Sequence, residues 1–324
     1  MTLDAKILSA LRGADETGIP LAALAARAGV STAAINQRVA ELSRLGYEIE
    51  ATPHFGLRLL GAPDVLHADD LRSRLAPGCV VGRDIQVFQE TSSTNDVAEK
   101  LARDGVAEGV VVFAESQTKG RGRLGRKWIS PAGQGLWFSV LLRPPMPPGS
   151  VTQLTIAAAT AVARALHAET GLAPQIKWPN DILLRGKKVT GILTELSAEL
   201  DRVRYVVIGI GVDVNGPEFP AELREVATSL AAEAEKDFLR AEIAAAILRE
   251  LDADYARLRA GGFAALAEEW ERQCVTLGQQ VRIHIGDRAV AGRAESLDAD
   301  GALLLRTEHG RLERIVGGDV VLEK

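Results

Sequence analysis

Two apolar runs constrain the fold of this chain more than any other feature. They are Leu136 to Leu142 and Val203 to Val214. Short runs rich in Val, Ile, Leu and aromatic residues, without polar alternation, read as strands covered on both faces. Shorter runs at Val80-Val81 to Phe88 and Val110 to Ala114 also read as strands. Helical patterns lie at Val151 to His167 and Phe238 to Leu258. The order is mixed and not a strict βαβ alternation, so a largely antiparallel sheet in a mixed α/β layer is expected. The longest uncharged stretch, between Arg143 and Arg164, contains Pro144, Pro145, Pro147 and Pro148. A spanning helix needs about 20 apolar residues with a satisfied backbone, so this stretch predicts a proline loop leading into a soluble helix.

Different patterns flank that middle. Ile7, Leu8 and Leu11 mark a short amphipathic helix. Leu21, Leu24, Ala25 and Ala28 mark a second, stopped by Gly29. Ser31 or Thr32 can cap a third, running through Ile35, Val39, Leu42 and Leu45 to Gly46. Tyr47 to Glu50 and Gly56 to Leu60 then alternate around Thr52-Pro53-His54-Phe55, which predicts a hairpin. Two helices on a tight turn followed by a hairpin make a winged helix-turn-helix pattern. Its second helix offers Thr32, Asn36, Gln37, Arg38 and Arg44 as candidate DNA contacts. Residues 1–62 are nevertheless neutral, with Lys6, Arg12, Arg27, Arg38, Arg44 and Arg58 against Asp4, Asp15, Glu16, Glu41, Glu48 and Glu50. A protein-interaction module of three helices is the competing expectation. At the other end, β runs at Gln280 to Ile285, Arg288 to Ser296, Ala302 to Thr307 and Arg311 to Val316 predict a small five-stranded barrel.

The expected class is therefore α+β. An N-terminal winged helix-turn-helix spans residues 1–62 and a linker, with one short helix at Asp69 to Leu75, spans 63–79. A central mixed α/β domain spans 80–272, and a C-terminal small SH3-like β-barrel spans 273–324. With 38 Lys plus Arg against 43 Asp plus Glu, the net charge is −5, which excludes a uniformly basic nucleic-acid coat. Cys79 and Cys274 are too few for a disulfide scaffold and fit a reducing compartment. Met1 to Lys6 carries Asp4 and Lys6 and no apolar core of a signal, so a cytoplasmic protein is expected.

The densest chemical signal is Ser116 to Trp128. It holds Lys119, Arg121, Arg123, Arg126 and Lys127 with Gly120, Gly122 and Gly125, and no acid occurs from Ser116 to Gln134. Glycine permits close backbone approach and arginine grips anions bidentately. Gly120-x-Gly122-x-x-Gly125 matches a dinucleotide fingerprint, and Gly120 to Lys127 nearly matches a P-loop. Both fail on context, because Trp128-Ile129-Ser130-Pro131 follows where a helix should begin. Lys177-Trp178-Pro179-Asn180-Asp181 combines a cation with an amide and a carboxylate that suit Mg²⁺. Alone it reads more simply as an ordinary turn with a solvated Lys; it should open a hairpin through Arg185-Gly186-Lys187. Ser93 or Thr94 is a natural N-cap for a helix to about Arg103, with Asp96 in its first turn. That helix N-terminus could also bind a polar ligand. Gly209-Ile210-Gly211-Val212-Asp213 is a glycine-rich strand end, read most simply as close packing.

These signals in this order resemble the biotin–protein ligases. With the N-terminal unit the chain resembles their bifunctional ligase and biotin-operon-repressor members. The resemblance rests on Ser93-Thr94-Asn95, on Gln117 with Gly120 to Trp128, on Lys177 to Asp181, on Gly191-Ile192-Leu193-Thr194-Glu195, and on the Ser31 to Leu45 helix. It implies a biotin and nucleotide site at Ser93, Thr94, Asn95, Gln117, Gly120, Arg121, Gly122, Arg123, Trp128, Lys177, Asn180 and Gly191. It implies Mg²⁺ at Asn180 and Asp181, and charge stabilisation by Lys177, Arg121 and Arg123. ATP, biotin and a biotinyl-5'-AMP intermediate that also acts as corepressor would be the ligands. A biotin carboxyl carrier protein, operator DNA and a second copy of the chain would be the partners. The family usually has Asn where this chain has Asp213, and its adenine-covering segment falls near Glu218 to Leu230. A lipoate-type adenylating ligase and a non-enzymatic ligand-sensing regulator are the alternatives.

Overall fold

A computed structural model describes residues 1–15, 17–52, 56–216 and 219–322. The N-terminal unit comprises α1 (Leu3–Arg12), α2 (Leu21–Ala28), α3 (Thr32–Arg44) and the antiparallel pair β1 (Glu48–Thr52) and β2 (Gly56–Gly61). The tip of the predicted hairpin, Pro53 to Phe55, lies outside the described residues. Thr2 and Ser31 cap α1 and α3, accepting from the amides of Ala5 and Ala34 at 3.2 Å each. Gly29 ends α2 in the left-handed region, at φ 73°. Ile7, Leu8, Leu24, Ile35, Leu42, Tyr47 and Leu57 form a core separate from the rest of the chain.

The expected linker is packed into the structure. Its helix α4 (Ala68–Ser73) sets Leu71 into the central core, flanked by Leu66 and Leu75. Fully buried Asp70 is paired with Arg12 of α1 and, at 3.1 Å, with Arg74. Breaking one side of such a pair strands a charge without solvent, so the N-terminal unit is fastened to the chain beneath it.

The central unit contains β3 (Asp84–Thr91), α5 (Thr94–Arg103), β4 (Val110–Gln117), β5 (Gly135–Leu142), α6 (Thr152–Thr170), β6 (Gln175–Lys177), β7 (Asp181–Leu184), β8 (Lys187–Ala198) and β9 (Val203–Asp213). Three helices follow, α7 (Leu230–Ala234), α8 (Arg240–Arg259) and α9 (Phe263–Gln273). The sheet order is β3-β4-β5-β9-β8-β7-β6, and only β3 and β4 pair in parallel. The strand expected from Val80 begins four residues later. Gly82 takes φ 86°, and the amides of Val80 and Val81 donate to Asp252 of α8 at 2.8 and 2.9 Å. Helix α9 has no counterpart in the sequence expectation, which ended the central helices at Leu258. The Gly261-Gly262 break hides a short apolar face of Phe263, Leu266 and Trp270.

Strand side chains alternate between the two faces of the sheet. On one face Val111, Phe113, Phe138, Val140, Ile208, Ile210 and Val212 pack into the large core with α6, α8 and α9. On the other, Val110, Val112, Leu141, Tyr205 and Val207 pack under Ala98 and Ala102 of α5. Beyond the N-terminal start of α5 that second face carries Gly209, Gly211 and Asp213, and there the sheet is left open.

The tail folds as β10 (Gln280–Ile285), β11 (Arg288–Leu297), β12 (Leu303–Thr307), β13 (Leu312–Ile315) and β14 (Asp319–Leu322), ordered β13-β12-β11-β10-β14. Among the described residues β13 and β14 are not paired, so this is an open antiparallel sheet rather than a closed barrel. The chain entering β14 meets the glycine–arginine loop instead, through an Arg126–Asp319 ion pair. Val281, Ile283, Leu303 and Leu305 belong to the same apolar cluster as Trp178 and Trp270, so the tail and the central unit share a core.

Candidate active site

The open part of the sheet is the floor of a cavity of about 1190 Å³. Two glycines of β9 and one of β8 make that floor. A Cβ on Gly211 would lie 2.5 Å from the Trp128 ring, one on Gly191 2.8 Å from it, and one on Gly209 2.2 Å from Asn95 Oδ1. Trp128 therefore lies directly on the sheet backbone, and Asn95 reaches across it. The Gly-x-Gly spacing in β9 exists because the cavity face needs bare backbone while the opposite face needs Ile208 and Ile210.

The polar wall is the start of α5. Ser93, Thr94 and Asn95 are buried there. Ser93 occupies the cap position, but its hydroxyl makes no capping bond. Gln117 on β4 does that work, accepting from the Thr94 amide at 2.9 Å and from its hydroxyl at 3.2 Å. Gln117 Nε2 donates to Ser130 at 2.8 Å. Ser139 on β5 donates toward Thr94 and Asn95, and Asn95 Nδ2 donates to Glu195 at 2.6 Å.

The glycine–arginine loop forms the second wall. Its stem is pinned by bonds from the amides of Thr118 and Lys119 to the carbonyls of Thr91 and Ser92, at 2.9 and 2.8 Å. Arg121 bridges Lys127, and a tight turn at Arg123 to Gly125 closes the tip. No helix follows, so neither nucleotide-loop motif is realised. Gly120 is off the cavity wall; its Cα lies too close to the Trp128 carbonyl to carry a Cβ. Arg121 pairs with Asp96 at 2.5 Å and with Glu195 at 3.2 Å. Arg123 donates to Asn180 Oδ1 at 3.1 Å and to the Gly318 carbonyl at 3.4 Å. Burial pulls the Arg123 guanidinium below its usual range, against the pull of Asp319 and Asp181.

The third wall is the β6–β7 hairpin. Lys177 and Asp181 face each other across it, and a cis Trp178–Pro179 bond turns the chain between them. Asn180 Nδ2 donates to the Ile192 carbonyl at 2.6 Å. Asp181 is held by Lys188 at 2.6 Å, and the Lys188 ammonium stands 5.2 Å over the Trp128 ring. The cavity is covered by a segment that includes Phe219, Leu223 and Val226, hydrogen-bonded to Lys188 on both sides at 2.8 and 2.9 Å.

Residues 87–213 match the Biotin/lipoate A/B protein ligase family, 276–323 the Biotin protein ligase C terminal domain, and 4–58 an HTH domain. A bifunctional ligase/repressor BirA from Bacillus spizizenii is 39% identical over 296 residues, which cover 91% of this chain and 90% of the relative. The chain belongs to the biotin protein ligase family. A bifunctional ligase/repressor BirA from Escherichia coli is 30% identical over 91% of this chain and 89% of its own. The structure of biotin protein ligase from Aquifex aeolicus in complex with biotin and ATP aligns with a TM-score of 0.64 at 32% identity, covering 75% of this chain and 99% of that one.

In this member of the ligase family, every residue expected at the biotin and nucleotide site except Gly120 lines the one cavity, and so does Asp181. Among the described residues no group of three or more His, Cys, Asp or Glu is arranged to hold a metal. Sequence reasoning missed Lys188, the link from Glu195 to Arg121, and the contribution of Gly318 and Asp319 from the tail. Nothing local marks Lys188, whose position depends on the β7–β8 turn and on Trp128. Of the DNA candidates, Thr32, Asn36 and Gln37 are exposed on α3. Arg38 is instead engaged within the unit, with Nε donating to Asp4 at 2.6 Å and Nη1 bonded to Glu41.

Asp213 ends the glycine row on the cavity floor. Desolvation pushes its carboxyl up to about 8, with Lys188 pulling the other way. The folded group keeps its proton to about that pH, whereas an unfolded Asp releases it near pH ~4. Between those values the unfolded state binds fewer protons, so this group lowers stability as pH rises through the window. Asp213→Asn should remove that slope. Its gain in Tm over the parent is expected to grow from pH 5 to pH 8. A gain that is the same at both pH values would mean Asp213 is already ionised in the fold.

Proposed function

We propose that this chain activates biotin with ATP as biotinyl-5'-AMP and transfers it to a lysine of a biotin carboxyl carrier protein. The observation that supports this best is the joining of three features in one cavity. These are the polar mouth of α5, the cations Lys177, Lys188 and Arg123, and the aromatic and apolar cover of Trp128, Phe219, Leu223 and Val226. A carboxylate is a poor electrophile until it is attached to phosphate. Its oxygen attacks the α-phosphorus of ATP and pyrophosphate leaves. A carrier lysine amine then attacks the acyl carbon, loses its proton, and AMP leaves.

Both steps gather negative charge at the acyl–phosphate junction, so catalysis is positional and electrostatic. Lys177 offers that charge from the end of β6 and Arg123 from the loop, while Lys188 is held by Asp181. Arg121, already paired with two carboxylates, serves the loop's shape instead. The loop tip, latched to the tail by Arg126 and Asp319, excludes water from the reactive adenylate. A magnesium ion carried by the nucleotide would supply neutralisation of the leaving pyrophosphate. Asn180 and Asp181 would hold it, as one amide oxygen and one carboxylate suit this ion.

Mass spectrometry of the protein mixed with biotin and Mg·ATP should find a retained biotinyl-adenylate, with release of pyrophosphate. Release with lipoate in place of biotin would favour the lipoate-type reading. No pyrophosphate with either acid would leave a ligand sensor. The two free cysteines accord with action in a reducing setting; among the described residues no helix is long and apolar enough to cross a membrane.

The same chain is proposed to repress through its N-terminal unit. With no net charge there, one copy gains little from phosphate neutralisation. Two copies would present two α3 helices to two half-sites, so dimerisation on adenylate binding would tighten operator binding by linkage. Asn36→Ala is expected to weaken operator binding roughly tenfold, about 1–3 kcal/mol per base contact, with biotin transfer unchanged. Arg38→Ala should act differently. It leaves Asp4, which is largely buried, without its partner. With Arg38 partly solvent-screened, a loss of about 1 kcal/mol in stability of the unit is expected. Sedimentation and operator shift assays with and without adenylate test both. Asn36→Ala protein that binds operator like the parent would place the DNA face elsewhere.

A further inference from the structure

The segment Gly191 to Glu195 carries part of the family resemblance, yet Glu195 has no part in the chemistry above. Its carboxylate sits where three elements meet. Oε2 accepts from Asn95 Nδ2 at 2.6 Å and from Arg121 Nη2 at 3.2 Å. The other terminal nitrogen of Arg121 donates to Asp96, in the first turn of α5, at 2.5 Å. Thus β8, the mouth of α5 and the glycine–arginine loop are tied at one point. We propose that Glu195 is a positioning residue for adenylation, which fixes Arg121 and through it the glycine–arginine loop in the closed arrangement over the acyl-adenylate.

The loop cannot hold that arrangement by its own composition. Five cations and no acid repel one another, and three glycines leave the backbone loose. Arg121 stands at the base of the tip, bridged to Lys127, and the Gly122 amide donates to the Arg126 carbonyl at 2.7 Å. Fixing Arg121 therefore sets the base of the tip, whose far side is held by Arg123 on Asn180 and Gly318 and by Arg126 on Asp319. Asp96 alone would leave the guanidinium free to swing about one contact. Glu195 supplies the second from β8, whose backbone is held there in register with Val207 of β9. Two carboxylates on one guanidinium also remove Arg121 from the cations available to phosphate.

Glu195→Gln tests this, because it keeps an oxygen for Asn95 and removes the charge facing Arg121. The pair is partly exposed, with side chains 32% and 43% accessible, so the effects should be moderate. Biotin KM and the release rate of biotinyl-adenylate are expected to rise about fivefold, with kcat for adenylation changed less than twofold. Trypsin should cut the ligand-free loop about fivefold faster at Arg121 to Lys127, while circular dichroism shows an unchanged fold. If Glu195 works through Arg121, Glu195→Gln combined with Arg121→Gln should release adenylate no faster than Arg121→Gln alone. Additive effects in that pair, or release and cleavage equal to the parent in Glu195→Gln, would overturn the assignment. The inference rests on the biotin-adenylating reading, and the arms keep the two apart. Parent protein that forms no adenylate defeats that reading, whereas the trypsin comparison of ligand-free proteins still decides whether Glu195 holds the loop.

Discussion

Lys177→Met should slow biotinyl-adenylate formation by roughly a hundred- to a thousandfold. Removing one charge or donor aimed at a developing anion typically costs about 2.7–4 kcal/mol of transition-state stabilisation. Lys177 is suited to that role by what does not hold it. Arg121 is shared between Asp96 and Glu195, and Lys188 is held by Asp181. No carboxylate among the described residues pairs with the Lys177 ammonium, which lines the cavity at the end of β6. Its charge is therefore left for the ligand. Methionine keeps the length and apolar stem of the side chain, so the fold should survive. Pyrophosphate release in a single turnover is the measurement, with a thermal melt beside it. Turnover within threefold of the parent would make Lys177 a bystander on the cavity wall.

Arg240→Ala should cost about 3–5 kcal/mol of stability, the usual penalty for breaking a buried ion pair from one side. Arg240, at the start of α8, is 1% exposed. Its guanidinium donates to Glu115 of β4 at 2.7 Å, to the carboxylate of Asp64 at 3.1 Å, and to the Asp64 carbonyl at 2.8 Å. Glu115 also accepts from the Leu66 amide at 2.9 Å. One side chain thus fastens the segment leading from the N-terminal unit to the central sheet. Alanine would leave Glu115 buried and charged, with its cation gone and only the Leu66 amide donating to it. Domains are stable by only about 5–15 kcal/mol, so the variant should unfold at markedly lower denaturant. Arg240→Lys should recover little, because an ammonium cannot fork between two carboxylates. A denaturant midpoint near the parent's for Arg240→Ala would show that the cluster is hydrated.

Periodicity and turn chemistry made much of the architecture legible. The N-terminal unit could be read because its caps and stops are local: Ser31 at the start of α3 and Gly29 at the end of α2 act within one turn of chain. The hairpins of the tail were legible for the same reason. Helix α9 was not, because a double glycine before a single apolar face of three residues resembles a loop until α6 is packed against it. The start of β3 was misplaced because Gly82 and a distant carboxylate, Asp252, decide it. The place of Arg38 on α3 was legible, but not that Asp4 comes to lie beside it.

The cavity divides along the same line. The residue types were legible along the chain: a loop of glycines and arginines, a lysine ahead of an amide and a carboxylate, and glycines at alternate positions of a buried strand. Those follow from local steric and electrostatic needs and from spacing along one element. Which cations face the ligand depends instead on the packing of strands from separate parts of the chain. Arg121 is neutralised by acids 25 and 74 residues away in sequence, and Asp181 by Lys188 across a hairpin. Charge acts through space, over distances fixed when strands from separate parts of the chain take their register, and no pattern along the chain records those distances.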